Sequence, residues 1–198
     1  MNVKIRDMIL TALFAALMVV GAMIRIFFPI VPLTFQPFFC AFAGILLGAK
    51  LGLMSQVVYI FIGLIGLPVF THGGGPQYIF NPTFGYILGF AAGAYVIGKI
   101  TEHFKEIDFK RALVAVLAGL AVIYMIGVPY LYFIMNIYLD TPISLSDAIT
   151  VGFTMSIVKD LVMYVIVAAV ASRILPILNR AGLTPINKNM NIKYVKHK

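Results

Sequence analysis

Gly66-Leu67-Pro68-Val69-Phe70-Thr71-His72-Gly73-Gly74-Gly75-Pro76-Gln77-Tyr78-Ile79-Phe80-Asn81-Pro82-Thr83-Phe84-Gly85-Tyr86 is an apolar stretch broken by glycine and proline, set between two longer apolar runs. Three consecutive glycines and three prolines forbid a regular helix, so the backbone N–H and C=O groups need partners that lipid cannot supply. Non-helical backbone at such depth is tolerated where it is buried in protein or lines a cavity. The polar atoms of Thr71, His72, Gln77, Asn81 and Thr83 are then placed to face a ligand, while the glycines allow close backbone approach and the hinge motion of a lid. An ordinary solvated extracellular loop is the competing reading.

The rest of the chain decides between them. Its 198 residues are 62% apolar and 11% charged, with a mean hydropathy of +1.01, against about 45–50% and about 25% in soluble proteins. It is an integral membrane protein. One helical bundle uses the whole length, so any dependence on ATP requires a partner. The net charge of +8 does not point to nucleic acid, because the basic residues sit at the ends of apolar segments rather than along a face. A lone cysteine, Cys40, excludes an intrachain disulfide and a multi-cysteine metal site, and its apolar neighbours make it a core residue.

Taken in order, Lys4 and Arg6 precede an apolar run from Met8 to Ile24 that resembles a signal peptide, but five more apolar segments follow. A retained first helix running to about Phe28 and halted by Pro29 and Pro32 is the better reading. The second apolar segment, Pro37 to Leu47, is too short to cross ~30 Å of hydrocarbon. Residues 29–37 must then dip into the membrane as a second cavity-lining segment. A tight turn is expected at Gly48-Ala49-Lys50-Leu51-Gly52, then a third helix to about Gly66 and a fourth from Pro82, capped by Asn81, to Ile100. Thr101 to Arg111 is aqueous; the fifth helix spans Ala112 to Met135 with a kink at Pro129. After a polar turn from Asn136 to Ser146, the sixth helix runs to Leu175 and ends at Pro176. The expectation is an all-α, six-helix membrane bundle over residues 1–178 and a basic cytoplasmic tail over residues 179–198.

Cytoplasmic loops gather lysine and arginine. With the N-terminus inside, Lys4, Arg6, Lys50, Lys99, Lys105, Lys110, Arg111, Arg173, Arg180, Lys188, Lys193, Lys196 and Lys198 all fall on that side, 13 of the 15 basic residues. Both termini are therefore expected in the cytoplasm, and both cavity-lining segments face outward.

Arg25 and Lys159 are the remaining two. Arg25 lies near a helix end, where it can snorkel. Lys159 and Asp160 lie mid-helix, where a charge costs ~2.5–3.5 kcal/mol and normally faces the bundle interior. Adjacent helical residues project about 100° apart and pair poorly, which favours a ligand or another helix as their partner over mutual neutralisation. Gly93-Ala94-Tyr95-Val96-Ile97-Gly98-Lys99 imitates a phosphate-binding loop, but Ile100 stands where Ser or Thr is required and no strand precedes it. His72, His103 and His197 are too scattered for a metal site, and nothing in the sequence argues for catalysis. On helix 1, Ala12 and Ala16, with Thr11 and Ala15 beside them, make a smooth face suited either to a partner helix or to packing within the bundle.

Several segments together resemble the BioY family, the biotin-specific substrate-binding (S) components of energy-coupling-factor transporters. They are Ala12 to Ala16 with Val20-Gly21-Ala22, Val31-Pro32-Leu33-Thr34-Phe35-Gln36, Ala43-Gly44-Ile45-Leu46-Leu47-Gly48, Gly63-Leu64-Ile65-Gly66-Leu67-Pro68-Val69-Phe70, Asn81-Pro82-Thr83-Phe84-Gly85-Tyr86 with Gly89-Phe90, and Lys159-Asp160-Leu161. The resemblance implies a six-helix bundle in the cell membrane that holds biotin in its outward half. It also implies a membrane-embedded T component, docking on the Ala12 and Ala16 face, and two ATPase subunits as partners. Asn81 and Asp160 match positions expected to hold the ureido ring, and Gln36 and Tyr86 match positions near the site. Some relatives carry a lysine three residues after the aspartate; here that position is Met163, and Lys159 is the candidate for neutralising a ligand carboxylate. No cofactor is implied. An S component for another vitamin and an autonomous secondary transporter are the alternatives; the latter would use a coupling ion at intramembrane acids, of which Asp160 alone is clearly buried.

Overall fold

The computed structural model describes residues 4–26, 30–104 and 106–181. The first helix, α1 (Ile5–Met23), stops five residues before the expected end at Phe28, which lies outside the described residues with Pro29. Beyond Ile24 the chain becomes extended because a partner is available: β1 (Arg25–Ile26) pairs antiparallel with β2 (Leu33–Thr34), in the register Arg25 to Thr34 and Ile26 to Leu33. This hairpin absorbs backbone groups that lipid would leave unbonded. It delivers the chain to α2 (Gln36–Leu47), which opens with Pro37 in its first turn.

The expected five-residue turn at 48–52 contracts to a single residue. Gly48 at φ 83° ends α2, and α3 (Ala49–Leu64) starts at once. The first-turn amide of Ala49 is capped from another helix, donating to Glu102 Oε1 at 2.8 Å. At 12 and 16 residues, α2 and α3 are about 18 and 24 Å long, short of a ~30 Å span. The hairpin and the 65–83 segment make up the missing depth at one end.

That segment folds on itself rather than into solvent. Phe70 and Gly73 form a bridge, Gly75 N donates to Gly63 O at 2.7 Å, and Pro76–Phe80 makes a 3₁₀ turn. The helix α4 (Phe84–His103) begins two residues later than expected, with Thr83 rather than Asn81 in the capping position. It packs on α5 (Phe109–Phe133) through glycines: a side chain at Gly89 would strike the Ile123 backbone, and one at Gly127 would strike the Tyr86 ring. The glycines of the imitation phosphate loop have the same structural use within α4. Gly93 faces Ile123 and Gly119, and Gly98 abuts the Gly48–Ala49 corner.

Asp108 caps α5, accepting from Arg111 N at 2.8 Å, so the helix starts three residues before Ala112. Pro129 lies inside it, and a π turn (Ile134–Tyr138) closes it. A Ser144–Asp147 capping box starts α6 (Leu145–Ile149), which passes through a second π turn (Thr150–Thr154) into α7 (Met155–Arg180). Pro176 does not end this last rod. It sits in the penultimate turn, where one lost hydrogen bond is tolerated, and the helix continues to Arg180. Among the described residues the bundle has six helical rods, four of them long and apolar enough to cross a membrane. Lys105 and residues 182–198 of the basic tail lie outside the described residues.

Candidate ligand-binding site

A small cavity opens beneath the hairpin and the 66–83 loop, with polar and aromatic side chains converging on it. Its floor and sides come from Ile87 and Phe90 on α4, Ile123 and Tyr124 on α5, and Ser156, Lys159 and Asp160 on α7. Val31, Pro32, Thr34 and Gln36 from the hairpin side and Thr71 and Thr83 from the loop complete it. Both segments judged from sequence to line a cavity do so.

The charged centre is Asp160, only 3% exposed. Its Oδ2 accepts from Tyr124 OH at 2.5 Å, and its Oδ1 lies 2.6 Å from Lys159 Nζ. The expectation that these neighbours pair poorly fails. Lysine's flexible four-carbon stem folds across the 100° separation, and the Thr34 carbonyl, accepting from Nζ at 2.7 Å, fixes the ammonium between hairpin and helix. Oδ1 takes part in no hydrogen bond beside this ion pair, so that buried oxygen keeps accepting capacity.

Of the other predicted positions, Gln36 lines the cavity and is held by donating from Nε2 to Tyr59 OH at 2.8 Å, which in turn donates to Val69 O at 3.1 Å. Tyr86 also lines it, donating to the Gly152 carbonyl at 2.8 Å. Gly152 lies in the π turn before Ser156, and the displaced ladder of such a turn leaves a carbonyl accessible. Asn81 does not line the cavity. Its Oδ1 accepts from Thr83 N at 2.9 Å and from Thr83 Oγ1 at 2.7 Å, leaving it one residue behind the wall. His72 and Gln77 are exposed, and Gln77 donates back to Gly74 O rather than toward a ligand. Partial desolvation of the ring and the charge of Arg25 push the His72 pKa below its ordinary value.

Tyr124, Ser156 and Thr34 were not singled out from sequence. Ser156, Lys159 and Asp160 share a helix face at i, i+3 and i+4, a spacing that could have flagged the serine. Tyr124 is one tyrosine among several in an apolar helix and gives no such signal. On α1 the small residues divide: Thr11 and Ala15 are buried in the bundle, while Ala12 and Ala16 face outward.

The sequence matches a known family: the BioY family profile covers residues 1–180. The chain belongs to the BioY family. A probable biotin transporter BioY of Lysinibacillus sphaericus is 45% identical over 175 residues, 88% of this chain and 89% of the relative. The biotin transporter BioY of Thermotoga maritima is 39% identical over 170 residues, 85% of this chain and 95% of that one. Among solved structures, the crystal structure at 2.1 Å of the S-component for biotin from an ECF-type ABC transporter superposes with a TM-score of 0.73 at 23% identity, covering 87% of this chain and 92% of that one. The fold is thus the multi-pass helical bundle read from the sequence. Within this BioY chain Met163 is buried and absent from the cavity wall, which leaves Lys159 as the cation on that wall among the described residues.

Proposed function

We propose that the protein is the biotin-binding S component of an ECF-type uptake system in the cell membrane. The observation that carries this is a carboxylate, Asp160, and an ammonium, Lys159, set side by side in one cavity with aromatic walls. A ureido ring offers two N–H donors and one carbonyl, which suit a carboxylate and the threonine and glutamine groups nearby. Tyr86, Tyr124 and Phe90 enclose an apolar bicycle, and a remaining N–H of Lys159 neutralises the ligand's carboxylate. The names of the relatives support biotin as the ligand.

The asymmetry of basic residues orients the cavity outward and both termini inward. Energy comes from two ATPase subunits through a membrane T component that docks on the outward alanines, Ala12 and Ala16. Titrating the purified protein with a panel of vitamins tests the ligand: biotin alone is expected to bind tightly, and preference for another vitamin refutes the reading. Uptake into vesicles with and without the ATPase module tests the energetics, because accumulation by the protein alone would make it an autonomous transporter.

A further inference from the structure

The loop wall of the cavity carries a chain of hydroxyls whose proton order follows from counting. Asn81 Oδ1 accepts the Thr83 backbone N–H, which fixes that atom as the carboxamide oxygen. Thr83 Oγ1, 2.7 Å from the same oxygen, must donate its one proton there. Tyr78 OH lies 3.0 Å from Thr83 Oγ1 and is therefore the donor in that contact. Its proton is then committed, so Thr71 Oγ1 at 2.9 Å donates to Tyr78. Thr71 has no second proton for His72 Nδ1 at 3.3 Å, and this contact is satisfied only when Nδ1 carries the hydrogen. The order runs from His72 through Thr71, Tyr78 and Thr83 to Asn81.

We propose that this ordered chain sets ligand specificity, with Asn81 as a positioning residue acting through Thr83 and Tyr78. Thr71 and Thr83 line the cavity, are 5% and 6% exposed, and have their protons directed away from the ligand. Toward the cavity they offer lone pairs alone. The loop wall thus selects a ligand edge that bears N–H donors and rejects one that bears a carbonyl, since two facing acceptors leave both unsatisfied. The inference rests on the biotin reading: the N–H vectors of a ureido ring diverge, which suits a carboxylate on the α7 wall and acceptor hydroxyls on the loop wall. It gives Asn81 a role at its observed place behind that wall.

Tyr78 is buried and off the cavity wall, so Tyr78→Phe breaks the chain without removing a wall atom. Combined with His72→Phe, so that Nδ1 cannot take the proton instead, it leaves Thr71 free to turn its proton toward the ligand. Calorimetric titration of the purified protein with biotin should show affinity falling roughly threefold to tenfold in this double variant. With two biotins, each methylated at one ureido nitrogen, the loss should vanish for the isomer that no longer presents N–H to the loop. Equal losses for all three ligands, or none, overturn the proposal.

A ligand-free measurement guards against a folding effect. With only three histidines in the chain, nitrogen-15 spectra of histidine-labelled protein at about pH 8, where His72 is neutral, should show it as the Nδ1–H tautomer and revert to Nε2–H in Thr71→Val. An Nε2–H tautomer in the unsubstituted protein overturns the proton order. Failure of that protein to bind biotin refutes the proposed function instead, while the Nδ1–H tautomer in the same sample still supports the ordered chain.

Discussion

Asp160→Asn separates a ligand-holding carboxylate from one that merely neutralises a lysine. The substitution keeps the side-chain shape and one carbonyl oxygen for Tyr124 but removes the charge and one acceptor. A charge-assisted hydrogen bond contributes ~1.5–3 kcal/mol, so biotin affinity should fall roughly tenfold to a hundredfold. Stability should fall as well, because Lys159 loses its ion-pair partner. Breaking a fully buried pair costs about 3–5 kcal/mol, but the Lys159 side chain is 23% exposed and keeps the Thr34 carbonyl, which reduces the cost to about 1–3 kcal/mol. The assay is thermal unfolding without ligand beside calorimetric titration with biotin, on the single variant and on Asp160→Asn combined with Lys159→Met. The double variant should regain stability, since the isolated ammonium is gone, and bind more weakly still, since the group facing the ligand's carboxylate is gone as well. If it regains affinity along with stability, Asp160 serves only to balance Lys159. Unchanged affinity in a folded single variant would remove Asp160 from the site.

Single cysteines at positions 77, exposed on the loop, and 106 test the orientation: an impermeant thiol reagent applied outside should label the first and not the second, and the reverse pattern inverts the topology. The native Cys40 is fully buried and should not react. Ala12→Trp and Ala16→Trp should preserve biotin binding and abolish ATP-driven uptake, whereas Ala15→Trp, at a site 3% exposed, should unfold the bundle; loss of folding in all three would place the whole face in internal packing. His72 has a depressed folded-state pKa, so its neutral form is the one favoured on folding. Its contribution to stability is present above the unfolded value of about 6.5 and lost as pH falls through the folded value, and His72→Gln should therefore flatten the fall in melting temperature between about pH 7.5 and pH 5. An identical slope in both proteins would exclude His72 as its source.

Composition and local pattern alone determined the environment, the number of helical rods and the two irregular segments. Membrane burial forces every backbone group to find an internal partner, so Gly73-Gly74-Gly75 and the prolines around it could be read as cavity-lining without coordinates. The Lys159–Asp160 pair was legible for the same reason: charge deep in an apolar helix is costly enough to demand a partner. The identity of those partners belonged to the tertiary structure. Lys159 meets the Thr34 carbonyl across 125 positions of chain, Tyr86 meets Gly152 across 66, and Tyr124 meets Asp160 across 36. Such contacts depend on how α4, α5 and α7 are rotated and stacked, which the spacing of apolar residues in uniformly greasy helices does not encode. Asn81 shows the limit most directly. Its neighbours marked it for the site, but the late start of α4 at Phe84 turns its carboxamide onto Thr83 and sets it behind the wall it was expected to form.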